Sequence, residues 1–87
     1  MKVVAKPVDM MAWFEDGGAI HPIRFRLKNE DGQQQVIKVD RICSRDLEKL
    51  AGNPMVVFRC QSQINGLLKP YELKYELETC RWILFKI

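Results

Sequence analysis

The sequence predicts a mainly all-β fold: a small antiparallel barrel, SH3-like or OB-like, of five to six strands with one short helix. Three observations predict it. Apolar and polar residues alternate with a period of two over most of the chain. Polar or glycine-rich turn material at 16–18, 29–32 and 65–66 punctuates that alternation. The last third, MVVFRCQSQINGLLKPYELKYELETCRWILFKI, can be registered as a β-meander from its own residues. An open sheet of this size leaves its edges unprotected, which is why closure into a barrel is expected.

The meander is the best-determined part. Asn65-Gly66 is the dipeptide of a type I′ hairpin turn, which needs positive φ at both central positions. That turn pairs Ile64 with Leu67, Cys60 with Tyr71, Phe58 with Leu73 and Val56 with Tyr75. Arg59 then faces Glu72 on the other side. A second turn at Glu78-Thr79 pairs Leu77 with Cys80, Tyr75 with Trp82 and Leu73 with Leu84, and sets Glu76 opposite Arg81. Both registers put Val56, Phe58, Cys60, Leu73, Tyr75, Leu77, Trp82 and Leu84 on one face. Ile83, Phe85 and Ile87 then point the other way.

The remaining elements follow in order. Lys2 to Lys6 is a short strand stopped by Pro7, and Val8 to Phe14 alternates as a second one. Asp16-Gly17-Gly18 is a turn. In His21 to Leu27, the residues Ile23, Phe25 and Leu27 face inward while Arg24 and Arg26 face out. Gln34 to Cys43 returns as one strand with Ile37, Val39, Arg41 and Cys43 on its core side. Ser44 to Gly52 changes period: Ser44 can cap, Asp46 and Glu48 suit a first helical turn, and Leu47, Leu50 and Ala51 share a face. A helix of one or two turns is expected there, ended by Gly52 and Pro54.

Length and composition bound the function. Eighty-seven residues, 47% hydrophobic and 29% charged, make one ordinary globular domain spanning 1–87. No apolar run approaches the ~20 residues of a membrane span. The N-terminus lacks the features of a secretory leader. Three cysteines, an odd number spread far apart, suit a reducing compartment, so a cytoplasmic location is expected. The net charge of +3 permits attraction to phosphate without requiring it.

Chemistry finds little support. Cys43, Cys60, Cys80 and His21 show none of the close spacings of a zinc site, and the register sets Cys60 and Cys80 too far apart to share an ion. No metal, no cofactor and no catalytic residue is expected, and the thiols are read as buried and inert. His21 is the only histidine, in a loop-like setting with no carboxylate motif to orient it. The protein is therefore expected not to be an enzyme. Two binding surfaces stand out. Ile83, Phe85 and Ile87, with Trp13, form an apolar set suited to a protein partner unless the N-terminal segment covers it. Arg24, Arg26, Lys38 and Arg41 form a basic stripe suited to a nucleic-acid backbone, with Asp40, Glu30 and Asp31 near enough to balance it. The first reading is a non-catalytic module docking on a protein partner, the second a nucleic-acid-binding barrel. No membrane partner is expected.

The runs HPIRFRL (21–27), VIKVDRI (36–42), LAGN (50–53), VFRC (57–60) and YELKYE…WILFK (71–86) resemble a family of small uncharacterised proteins from clostridia and related Firmicutes. The resemblance covers nearly the whole chain. The layout P-x-R-F near the start and Y-x-L…W-x-L at the end is also similar to a broader bacterial domain of unknown function. Some members of that group are encoded near DNA-repair polymerase genes, although this chain lacks their tryptophan-rich middle. The resemblance implies a small fold without catalytic residues.

Overall fold

The computed structural model describes residues 1–87 as seven strands and no helix. The strands are β1 (Val3–Phe14), β2 (Ile20–Lys28), β3 (Gln34–Lys38), β4 (Arg41–Leu50), β5 (Asn53–Ile64), β6 (Leu67–Glu76) and β7 (Arg81–Lys86). All belong to one antiparallel sheet in the order β3-β2-β1-β7-β6-β5-β4. Two meanders, β1–β3 and β4–β7, lie side by side through β1 and β7. The chain ends meet at that junction: Lys2 N–H donates to Ile87 O at 2.8 Å, and Ile87 N–H donates to Lys2 O at 2.9 Å.

This order forces the sheet to bend. β3 and β4 are its outer strands, yet only Val39 and Asp40 separate them along the chain. The spacings across a flat sheet of seven strands would hold its edges ~29 Å apart at ~4.8 Å each. The stretch from Lys38 to Arg41 reaches at most ~11 Å. The sheet therefore curls until its edges meet at this corner, which makes a half-barrel. A small antiparallel barrel-like fold was expected; seven strands, incomplete closure and the absence of a helix were not.

The corner is held by one side chain. Ser62, on β5 and fully buried, donates its hydroxyl proton to Lys38 O at 2.6 Å and accepts Asp40 N–H at 3.1 Å. With that proton committed, Tyr71 must be the donor in its 2.6 Å bond to the same oxygen. The hydroxyl thus uses its one proton and both lone pairs. Burial holds the Tyr71 phenol well above its ordinary pKa, which keeps it a donor at any working pH. Val39 N–H donates to Ile23 O at 2.8 Å, and Gln63 N–H donates to the Asp40 carboxylate at 2.8 Å.

The core lies on the concave face. Phe25, Leu27 and Ile37 from the first meander meet Phe58, Cys60, Ile64, Tyr71, Leu73, Tyr75, Trp82 and Leu84 from the second. The β5–β6 hairpin has the expected register from Ile64–Leu67 to Val56–Tyr75, including Arg59 opposite Glu72. Asn65 and Gly66 both have positive φ. Leu73–Leu84, Tyr75–Trp82 and Glu76–Arg81 pair across β6 and β7 as expected. Their connection differs: Leu77 to Cys80 form a four-residue turn closed by Cys80 N–H to Glu76 O, so Leu77 is exposed and, instead of pairing with Cys80, donates its N–H to Pro54 O at 3.2 Å. Pro70 lies beyond the last β6–β7 pair, Glu72 with Lys86, where its missing N–H is harmless.

Elsewhere the structure corrects the expectations. Ser44 to Leu50 is strand, not helix, because the segment pairs along β5 from Ser44–Arg59 to Leu50–Asn53. Tertiary pairing outweighs its modest helix signals. Asp46 bonds Arg59 at 3.3 Å and Glu48 bonds Lys74 at 3.0 Å, so the supposed first-turn acids are outer-face ion-pair partners. Gly52 closes a hairpin with Ala51, both at positive φ. Gln34 to Cys43 is two strands, and passing the corner exchanges the faces: Ile37 packs on the core before it, Val39 within it and Ile42 after it. Pro7 does not stop β1. It pairs with Ile83 at a point where β2 has not yet joined, so no N–H is missed. Cys60 alone is buried; Cys43 and Cys80 are exposed.

Two measurements check this packing. Ser62→Ala removes a partner from Lys38 O, Asp40 N–H and Tyr71 at once, and should cost about 2–4 kcal/mol in urea unfolding. Tyr71→Phe removes one of those bonds and should cost about 1–2 kcal/mol. Equal, negligible losses would show that the corner closes without this hydroxyl. Burial, aided by nearby Cys43 and opposed by Arg45, pushes the Cys60 thiol up to about 12. A thiol reagent near pH 8 should therefore modify two cysteines in the folded chain and the third only on unfolding. The folded chain keeps the Cys60 proton that the unfolded chain releases, so stability should decline as pH rises above about 8.5.

Candidate nucleic-acid interface

Alternation on β2 fixes the candidate surface. Phe25 and Leu27 are buried in the core, so Arg24, Arg26 and Lys28 stand on the outer face. In register, Arg24 lies between Met11 on β1 and Lys38 on β3. Arg26 lies between Asp9 and Val36. Trp13 extends the same face of β1 two residues beyond Met11. These apolar side chains are unusually bare: Trp13 is 64%, Val36 60% and Met11 56% exposed.

The cations on this face differ in their freedom. Arg26 grips Asp9 through Nη2 at 2.7 Å and Nε at 3.2 Å, both to the same oxygen. Arg24, Lys28 and Lys38 have no carboxylate within 4.0 Å. Arg41 is equally unpaired, but it sits past the corner on β4, opposite Gln61. Of the four predicted residues, then, Arg24, Arg26 and Lys38 share one face and Arg41 marks its corner end. Of the three acids expected to balance them, Asp31 accepts Gln33 N–H within its turn and Asp40 accepts Gln63 N–H, while Glu30 is exposed and forms no ion pair with these cations.

The predicted apolar set does not survive as drawn. β1 joins the sheet beside β7 instead of lying over its outer face, so the expected N-terminal cover does not form. Register shifts between Glu72 and Leu73, placing Lys86 opposite Glu72 and leaving Phe85 as the extra residue. That bulge reverses the alternation, and Ile87 turns inward against the core. Ile83 and Phe85 remain on the outer face, half-buried. Lys74 lies buried between them and β4, its Nζ 3.8 Å from the Phe85 ring centre and 3.0 Å from Glu48 Oε1. Trp13 lies apart from this group, on the basic face.

His21 also differs from expectation. It belongs to β2, and its ring sits between a carboxylate and a guanidinium: Nε2 is 3.1 Å from Glu15 Oε1, and Nδ1 is 2.8 Å from Arg45 Nη2. Arginine can only donate, so Nδ1 is the acceptor and the ring proton sits on Nε2, which lies near Glu15 but makes no hydrogen bond. The arrangement ties β4 to β2 across the mouth of the half-barrel and presents no nucleophile to the ring. No group of three or more His, Cys, Asp or Glu side chains is placed to hold a metal ion. No helix is long and apolar enough to cross a membrane. Sequence reasoning missed Ser62, which carries no motif; only its placement opposite the corner reveals its role.

Comparison with family models, with curated proteins and with solved structures gives no match.

Proposed function

We propose that this protein is a non-catalytic module that binds single-stranded nucleic acid across the outer face of β1–β3. The observation that carries the reading is the cross-strand pair Arg24–Lys38, free of any carboxylate, beside exposed Met11 and Trp13. Like charges directly opposite one another weaken a sheet, so folding supplies no reason for them. A polyanion lying across both removes the repulsion and releases its own counterions. The exposed indole offers a flat surface on which a base can stack, which unpaired bases can reach and duplex bases cannot.

One observation favours a second reading, a protein partner docked on the outer face of the other meander. Leu50, Ala51, Met55, Ile83 and Phe85 line an apolar groove of about 450 Å³ there. A partner seated in it would be displaced by Ile83→Glu, which leaves the basic face untouched.

Fluorescence anisotropy of a labelled oligothymidine tests the first reading. Binding is expected in the range of about 1–100 µM at physiological salt, tightening as salt is lowered. Arg24→Ala and Lys38→Ala should each reduce both the affinity and the salt slope, the latter by about 0.7. Trp13→Ala should weaken binding by roughly 5- to 150-fold, the range of a lost stacking contact. Absence of binding at low salt, or equal binding by a variant combining Trp13→Ala, Arg24→Ala and Lys38→Ala, would overturn the proposal.

A further inference from the structure

The half-barrel leaves one end of its concave face open, and the side chains there are aromatic. Phe14, the last residue of β1, has the alternation of a core residue yet is 54% exposed. Its ring meets Tyr75 edge-on at 5.8 Å, and Tyr75 meets Trp82 at 4.8 Å. In register, Val8, Trp82 and Tyr75 form one row across β1, β7 and β6. With Met10 and Arg81 these residues line a cavity of about 440 Å³.

Arg81 gives the cavity its chemistry. It stands opposite Glu76, but both oxygens of that carboxylate are already engaged, one by Asn53 Nδ2 at 2.8 Å and the other by the Thr79 hydroxyl. The guanidinium makes no ion pair within 4.0 Å, although its charge, after the hydrogen bonds from Asn53 and Thr79, helps hold the Glu76 carboxyl below its ordinary range. Phe14 is the exposed wall, Tyr75 and Trp82 show only their edges, and these with one guanidinium outside any ion pair match a planar ring carrying a phosphate. An alkyl chain would leave the cation unused, and an acidic peptide would leave the rings unused.

We infer that this cavity binds one nucleobase together with its 5′-phosphate, the base against Phe14, Tyr75 and Trp82 and the phosphate on Arg81. The inference rests on the nucleic-acid reading above and extends it. Trp13 and Phe14 are consecutive and lie on opposite faces at the end of β1. A strand that stacks on Trp13 and turns over that end delivers its next base to Phe14.

The chain has two tryptophans, so Trp13→Phe leaves Trp82 as the only one. In that background, titration with adenosine 5′-monophosphate should quench Trp82 fluorescence saturably. Adenosine should bind about tenfold more weakly for want of the phosphate contact. Arg81→Ala should abolish the difference between the two ligands, and Phe14→Ala should weaken both. Both side chains are exposed, and circular dichroism verifies that each variant folds. No saturable quenching, or quenching unchanged by both substitutions, would overturn the inference. If oligothymidine still binds through Arg24 and Lys38 while the mononucleotide does not, the cavity proposal fails alone. If the mononucleotide saturates while the strand ignores Arg24 and Lys38, the wider reading fails and the cavity stands as a nucleotide site.

Discussion

A single hydroxyl group, that of Ser62, sits where the geometry of the sheet is least negotiable. The outer strands β3 and β4 must meet because two residues join them, and where they meet the sheet offers no ladder to satisfy their backbone. Ser62 supplies one donor and two acceptor positions, and Lys38 O, Asp40 N–H and Tyr71 consume all three. A buried polar cluster of this kind stabilises only when every member is satisfied. Here it is, and the seam needs no further strand pairing to hold.

The curl determines what each face can do. Inside, it brings Phe25 against Tyr71, ring centres 5.6 Å apart, so residues distant in sequence share one core. Outside, it separates two surfaces of different character. On the outer face of β4–β7 the central charges are paired: Lys74 lies between Glu48 and the Phe85 ring, and Arg59 reaches Asp46 at 3.3 Å. On the β1–β3 side only Arg26 is neutralised, and free cations stand among bare apolar groups. That combination of uncompensated charge and unburied aromatic area on the first meander is what the proposed nucleic-acid reading rests on.

Much of this was legible in the residues, and the gaps have identifiable causes. The β5–β6 register could be read because Asn65-Gly66 admits one turn geometry and each pairing then lands apolar on apolar. Arg24 and Lys38 could be placed outward because Phe25 and Ile37 had to go in. The corner at Val39-Asp40 could not be read. It contains neither glycine nor proline, and the alternation continues through it with only its sense reversed. β4 resembled a helix because acids at Asp46 and Glu48 suit a first helical turn as well as they suit cross-strand arginine and lysine. The inward turn of Ile87 depends on a bulge at Phe85 that no local residue announces.

Chemical-shift mapping by ¹⁵N NMR, with an unlabelled oligothymidine added to the labelled protein, tests the central claim most directly, since it reports every strand at once. The account predicts that the shifted amides cluster on Met11, Trp13, Arg24, Val36 and Lys38, with the Trp13 indole N–H moving most. Shifts centred instead on Met55, Ile83 and Phe85, or spread evenly over both meanders, would contradict it.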